Sequence, residues 1–289
     1  MARAWPAYFS FWHKLGARAL AWVAYLTLFF LVLPILVIVP LSFNAEPFFS
    51  FTEGMLRLDP EAYSLRWYRE VFDNPNWLLA IRNSVVIGIC ATAIATVLGT
   101  LAAVGMSSRH MPFRSVITAL ILSPMIVPLI ILAAGMFFFY TRFNIAGTYT
   151  GVIIAHAALG TPFVVISVMA TLKGFDRTLY RAGLSLGATP LRAFRDITMP
   201  LIRPGVISGA LFAFVTSFDE VVVVIFLAGP GQKTIPRQMF SGLRESINPS
   251  ILAVATLLIL VSVLFLISLE LLRRRSSRLR GIADRADAG

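Results

Sequence analysis

Long uncharged, apolar stretches alternate along the chain with short polar ones that are mostly basic. The first apolar stretch, Ala19 to Ala45, carries no charge. It exceeds the roughly 7–15 residue core of a secretory signal and reads as an uncleaved first span, kinked or ended near Pro34 and Pro40. Further spans are predicted at 78–104 (Arg82 at its outer edge), 115–140, 149–172, 204–228 and 250–272. Each holds the roughly 20 residues that cross a hydrocarbon core about 30 Å thick. Pro124, Pro128 and Pro162 fall inside spans, where neighbouring helices satisfy the freed carbonyls. The pattern predicts an all-α polytopic membrane protein with six transmembrane helices.

The polar stretches carry their own patterns. Residues 1–18 place Trp5, Phe9 and Trp12 at helical spacing, which predicts a short interfacial helix. Residues 43–77 hold Glu46, Glu53, Asp59, Glu61, Glu70 and Asp73, and within them Leu65, Tyr68 and Phe72 share one face of a second interfacial helix. Residues 173–204 read as two short helices joined by Gly187-Ala188-Thr189-Pro190. Gly187 suits a left-handed helix stop, Thr189 a cap for the next helix, and Pro190 that helix's first position.

Composition agrees with the membrane reading. The chain is 58% hydrophobic and 13% charged, against roughly 45–50% and 25% in soluble domains. Its net charge of +11 is topogenic in such a protein, and no basic run is interleaved with aromatics as a nucleic-acid groove requires. With the N-terminus inside, 17 Lys and Arg fall on cytoplasmic segments and 8 on external ones, so both termini and the 173–203 segment are expected in the cytoplasm. Arg273-Arg274-Arg275 reads as a stop-transfer anchor, with Glu270 one turn away to pair. The single Cys90 rules out a disulfide framework within the chain. His13, His110 and His156 are scattered over different segments, so no metal cluster is expected, and His156 reads as a packed, hydrogen-bonded helix residue. No phosphate-cradling G-x-x-x-x-G-K-[ST] and no catalytic constellation occur; energy must come from another chain.

Asp219 and Glu220 are the only charged residues between Arg203 and Lys233. They lie somewhat outward of the middle of the fifth span, where each ionised side chain costs at least about 2.5–3.5 kcal/mol. Acids facing a cavity suit a cationic solute, which makes Ser217, Phe218, Asp219 and Glu220 candidate path residues. Adjacent residues project about 100° apart, so both acids need not line one path. The alternative is a structural pair satisfied by Arg82 or by helix contacts. Phe214, Phe218 and Tyr140 offer cation–π surface, though aromatics in spans usually face lipid or core.

The 173–204 segment resembles the EAA loop of permease subunits of ATP-binding-cassette importers. That pattern is E-A-A, three residues, G, nine residues, I, one residue, L-P. Arg181-Ala182-Gly183 stand for E-A-A, Gly187 for the G, Ile197 for the I and Met199-Pro200 for L-P. SFDEVVVVIFLAGPG (217–231) and SLRWYREVFDNPNWLLAIRNS (64–84) resemble the spermidine/putrescine branch of the same family.

The resemblance implies the six-helix type I importer permease (MetI-like) fold: an interfacial helix at 1–18, a permease domain at 19–272 and a basic tail at 273–289. It implies a bacterial cytoplasmic membrane location, and a coupling helix that enters a groove on an ATPase subunit. The small residues Ala182, Gly183, Gly187 and Ala188 suit such close approach. Arg181 reverses the charge of the family's Glu, which an acidic groove residue would compensate; its plainer reading is topogenic charge. The implied partners are a second permease subunit in an expected heterodimer, two ATPase subunits carrying ATP and Mg, and an extracytoplasmic solute-binding protein. This chain would bind no cofactor. The implied solute is small, polar and cationic, such as a polyamine; opine-like compounds and phosphonates are alternatives within the class. A self-sufficient secondary transporter or channel would show internal repeats with matching broken helices, and the sequence shows no convincing repeat.

Overall fold

The computed structural model describes residues 10–108, 111–245 and 248–279. Trp5, Phe9, His110 and the basic tail beyond Leu279 lie outside the described residues, as do the side chains of Glu270 and Arg273 to Arg275. The helices in chain order begin with α1 (Phe11–Leu41), α2 (Glu53–Leu56), α3 (Arg66–Asp73), α4 (Pro75–Ser107), α5 (Arg114–Ile126), α6 (Leu129–Arg142) and α7 (Tyr149–Lys173). They continue with α8 (Arg177–Ser185), α9 (Pro190–Ala193), α10 (Met199–Phe218), α11 (Val222–Leu227), α12 (Ile235–Glu245) and α13 (Ser250–Leu279). Among the described residues, extended pairing is limited to one isolated bridge, Asn44 to Tyr63. The chain divides into two units.

One unit comprises Met1–Asp73 with Ser246–Gly289. Its helix α1 begins at Phe11 and continues without a break into the predicted first span, so residues 11–18 are not a separate helix. Pro34 lies inside α1, and the helix ends one residue past Pro40, where the Ser42 N–H reaches the Ile38 carbonyl. Helix α3 also buries a face that the apolar spacing did not mark. Trp67 and Val71 are buried, whereas Leu65 and Phe72 are more than half exposed. The cause is a partner far away in sequence: the Trp67 indole N–H donates to the Asn44 carbonyl at 2.8 Å. Asn44 is itself fully buried, its amide donating to the Phe48 and Ser50 carbonyls.

The other unit spans Asn74–Glu245. Helices α4, α7 and α10 pack against one another as its core. Lipid is as apolar as any side chain, so helices in a bilayer gain from van der Waals fit and not from burial, which favours small residues at crossings. Val164 of α7 lies between Gly99 of α4 and Gly209 of α10. A Cβ at Gly99 would sit 2.7 Å from the Val164 Cβ, and one at Gly209 would sit 2.7 Å from the Val164 Cα. Gly160 likewise faces Ala213, whose Cβ would lie 2.9 Å from an added one.

Two of the predicted spans are broken. The third is two helices, α5 and α6, bent by 107°. Val127 is extended because Pro128 follows it, and a residue before proline is pushed out of the helical region. The fifth stops at Phe218 and resumes as α11, with Asp219, Glu220 and Val221 between. The two post-break helices, α6 and α11, pack on each other. Four helices are long and apolar enough to cross a membrane, five if the bent pair is one span; the described apolar part of the last, Ser250–Leu264, is shorter. The six-span count is therefore not reached on helix length and apolarity among the described residues.

The Val164 crossing yields a test. Gly209→Val presses on backbone and should destabilise the chain by about 1–3 kcal/mol. Gly105→Ala, where an added Cβ meets nothing within 4 Å, should be close to neutral. Thermal unfolding in detergent compares the two.

Candidate functional site

The 173–204 segment folds as its residues dictate. Asp176 caps α8, its carboxylate accepting from the Thr178 N–H at 2.9 Å. Gly187 ends the helix at φ +89°, with the Gly187 and Ala188 N–H groups bonded to the Leu184 and Gly183 carbonyls. This is the glycine-terminated pair of hydrogen bonds expected of a left-handed stop. Thr189 then caps α9 by accepting from the Arg192 N–H, and Pro190 takes the first position. Between α9 and α10 lies one π turn, Phe194–Thr198, closed by the Met199 N–H on the Phe194 carbonyl.

The motif residues occupy two faces of this element. Gly183 is buried: a Cβ there would lie 2.5 Å from the Ile197 Cδ1 and 3.8 Å from the Ala193 Cβ. Gly183 and Ile197 thus hold the two short helices together. Arg181, Ala182, Gly187 and Pro200 are exposed and Ala188 is half-buried. The exposed surface also carries Leu186 and Leu191, which are 88% and 77% exposed. These two leucines lie outside the motif positions, and their place at the turn between the helices is the signal in the sequence. Asp196 pairs with Arg195 at 2.8 Å and Arg192 at 3.6 Å. The Arg195 hydrogen bond holds the Asp196 carboxyl below its usual range, and Thr178 does the same for Asp176.

The acidic pair sits at the break after α10, and its members part company. Asp219 is exposed, whereas Glu220 is buried at 8% exposure. The Glu220 carboxylate accepts from the Val223 N–H at 2.8 Å and so caps α11. A carboxylate there satisfies a freed donor and complements the positive end of the helix. Arg82 pairs with neither acid: the ion pairs among the described residues join Arg57 to Glu53 and Asp196 to Arg192 and Arg195. Ser217 is buried on α10 with its Oγ 2.8 Å from the Nδ1 of His156 on α7. His156 is fully buried, the packed and hydrogen-bonded residue expected of it. Phe218 stacks on Phe214 with ring centres 5.4 Å apart, and Tyr140 is buried in the cluster containing Val223 and Val224.

Residues that the sequence did not single out fix the segment after α11. Asn83 donates to the Gly231 and Lys233 carbonyls, both at 2.9 Å, and accepts from the Tyr149 hydroxyl at 2.8 Å. Ser84 accepts from the Ile235 N–H. The Arg237 guanidinium donates to the Ala228 carbonyl at 2.7 Å and to those of Val224 and Gly229 at 3.3 Å. Partners about 150 residues apart leave no local signature. Among the described residues, no group of three or more His, Cys, Asp or Glu could hold a metal ion.

Residues 95–278 match the family model described as binding-protein-dependent transport system inner membrane component, which takes in both the 173–204 segment and the acidic break. The chain is 34% identical over 242 residues to the putrescine transport system permease protein PotI of Escherichia coli strain K12, covering 80% of this chain and 82% of that protein. It is 27% identical over 248 residues to the spermidine/putrescine transport system permease protein PotC of Haemophilus influenzae, covering 86% and 93%. Among solved structures, a chain of a bacterial ABC transporter involved in import of the acidic polysaccharide alginate superposes with TM-score 0.69 at 14% identity, over 91% of this chain and 98% of that one. A chain of an amino acid ABC transporter gives TM-score 0.54 at 18% identity, over 72% and 98%. The matched model covers more than half of the residues, and the chain belongs to the family of binding-protein-dependent transport system inner membrane components.

Proposed function

We propose that this chain is one permease subunit of an ATP-driven importer for a small cationic, polyamine-like solute. The family makes it a membrane subunit of a transport system and not an enzyme. One observation carries the solute class: Asp219 is an exposed carboxylate at a helix break in a span whose one other charged residue is the buried Glu220, with no ion-pair partner among the described residues. The names of the two polyamine permeases it resembles support the same class. A carboxylate with no cation of its own offsets part of the desolvation cost of an ammonium group passing through a low-dielectric layer.

The excess of Lys and Arg on alternate segments supports a bacterial cytoplasmic membrane topology with both termini inside. In that topology 173–204 is the cytoplasmic coupling element of a permease domain at 19–272. Residues 1–18 and 273–289 flank the domain on the same side. The partners are a second permease subunit, two ATPases that carry ATP and Mg, and an extracytoplasmic binding protein that releases solute onto segments 43–77 and 229–250. Leu186, Leu191, Ala182 and Arg181 present the face that an ATPase groove would receive, and an acidic residue in that groove would answer Arg181. Closure of the ATPases would then pull on this hairpin and rock the spans from inward-open to outward-open.

Two experiments test the reading. Asp219→Asn removes the charge with little change of shape, and should raise the KM for putrescine uptake by about tenfold or more in the assembled transporter. An unaltered KM would remove Asp219 from the path. Gly183→Leu should force α8 away from Ile197 and abolish recovery of the ATPase in a pull-down from membranes; normal recovery would remove the coupling assignment.

A further inference from the structure

Inside a bilayer each backbone group freed by a helix break has to be satisfied by protein or by water in a cavity. Helix α11 has only six residues, Val222–Leu227, too few for its own hydrogen bonds to sustain it. It is held instead by side chains at both ends. Glu220 accepts from the Val223 N–H at its start, and Arg237 donates to the Val224, Ala228 and Gly229 carbonyls at its end. The groups suit the helix ends: an acceptor oxygen meets the freed N–H at the amino end and a guanidinium meets the freed carbonyls at the carboxyl end. A third partner, the Gly147 N–H, takes the Leu227 carbonyl at 2.8 Å. Among the described residues Arg237 forms no ion pair, and its guanidinium is directed at backbone carbonyls.

From this geometry we infer that Glu220 and Arg237 are positioning residues that clamp α11 from its two ends and thereby fix the break at which Asp219 is presented. Asp219 and Glu220 then have separate tasks: Asp219 meets the solute and Glu220 fixes the backbone beside it. The solute part rests on the proposed function, whereas the clamp does not.

The clamp is tested by hydrogen–deuterium exchange on the assembled transporter in nanodiscs, together with putrescine uptake corrected for the amount assembled. Arg237→Ala and Glu220→Ala should speed exchange at residues 222–229 by about tenfold or more, while the amides of α4, α7 and α10 keep their protection. Arg237→Lys should restore part of that protection, and Glu220→Gln most of it, because the amide oxygen still accepts the Val223 N–H. Asp219→Asn should leave exchange unaltered. Misplacing Asp219 by Arg237→Ala should raise KM, whereas a loss of assembled protein alone would lower only the maximal rate. Wild-type protection at 222–229 in Arg237→Ala would overturn the clamp. So would a loss of protection spread equally over α4, α7 and α10, or a Glu220→Gln chain as deprotected as Glu220→Ala. Faster exchange with an unaltered KM in both Arg237→Ala and Asp219→Asn would sustain the clamp and overturn the solute role of Asp219.

Discussion

A helix that stops inside a membrane frees backbone groups that lipid cannot satisfy, and the fifth span of this chain stops at Phe218. Side chains around that point supply partners to the helix that follows it. The Glu220 carboxylate takes a donor at the start of α11, Arg237 takes carbonyls at its end, and Asn83 holds the segment that follows. The break also leaves Asp219 exposed beside a buried Glu220 that is hydrogen-bonded to the backbone, so the two adjacent acids stand in different surroundings.

The frame for this break is the packing of α4, α7 and α10. Glycines at 99, 160 and 209 allow close approach, and Val164 fills the crossing between two of them. The His156–Ser217 contact joins α7 to α10 just before the break. The same helix α10 leads back through the π turn at Phe194–Thr198 to the hairpin of α8 and α9. A continuous helical path therefore links the 173–204 segment to the break, without an interruption between Pro190 and Phe218.

The fold of the 173–204 segment was legible because its signals are local. Gly187, Thr189 and Pro190 have backbone roles that hold whatever surrounds them, and φ +89° at Gly187 with a Thr189 cap follows from residue type. The break at 219–221 was not legible. SFDEVVVVIFL reads as an apolar run with two acids, and the residue that caps the end of α11, Arg237, lies eight or more residues beyond the carbonyls it binds. The buried face of α3 has the same origin, since Trp67 answers to Asn44, 23 residues earlier. Pro128 falls inside an apolar run long enough for one span, yet the chain bends by 107° there, so neighbouring helices do not keep the helix whole. Counting spans from hydropathy weighs only apolar length, which does not register such bends.

The separation of Asp219 from its neighbours is tested most directly by thiol accessibility. In a background with Cys90 replaced by Ala, single cysteines at 217, 219 and 220 would be treated with a membrane-impermeant cationic thiol reagent in oriented vesicles. Labelling is expected at position 219, reduced by putrescine, with little at the buried positions 217 and 220. Equal labelling at all three positions, or no labelling at 219 from either side of the membrane, would contradict the assignment of Asp219 to the solute path.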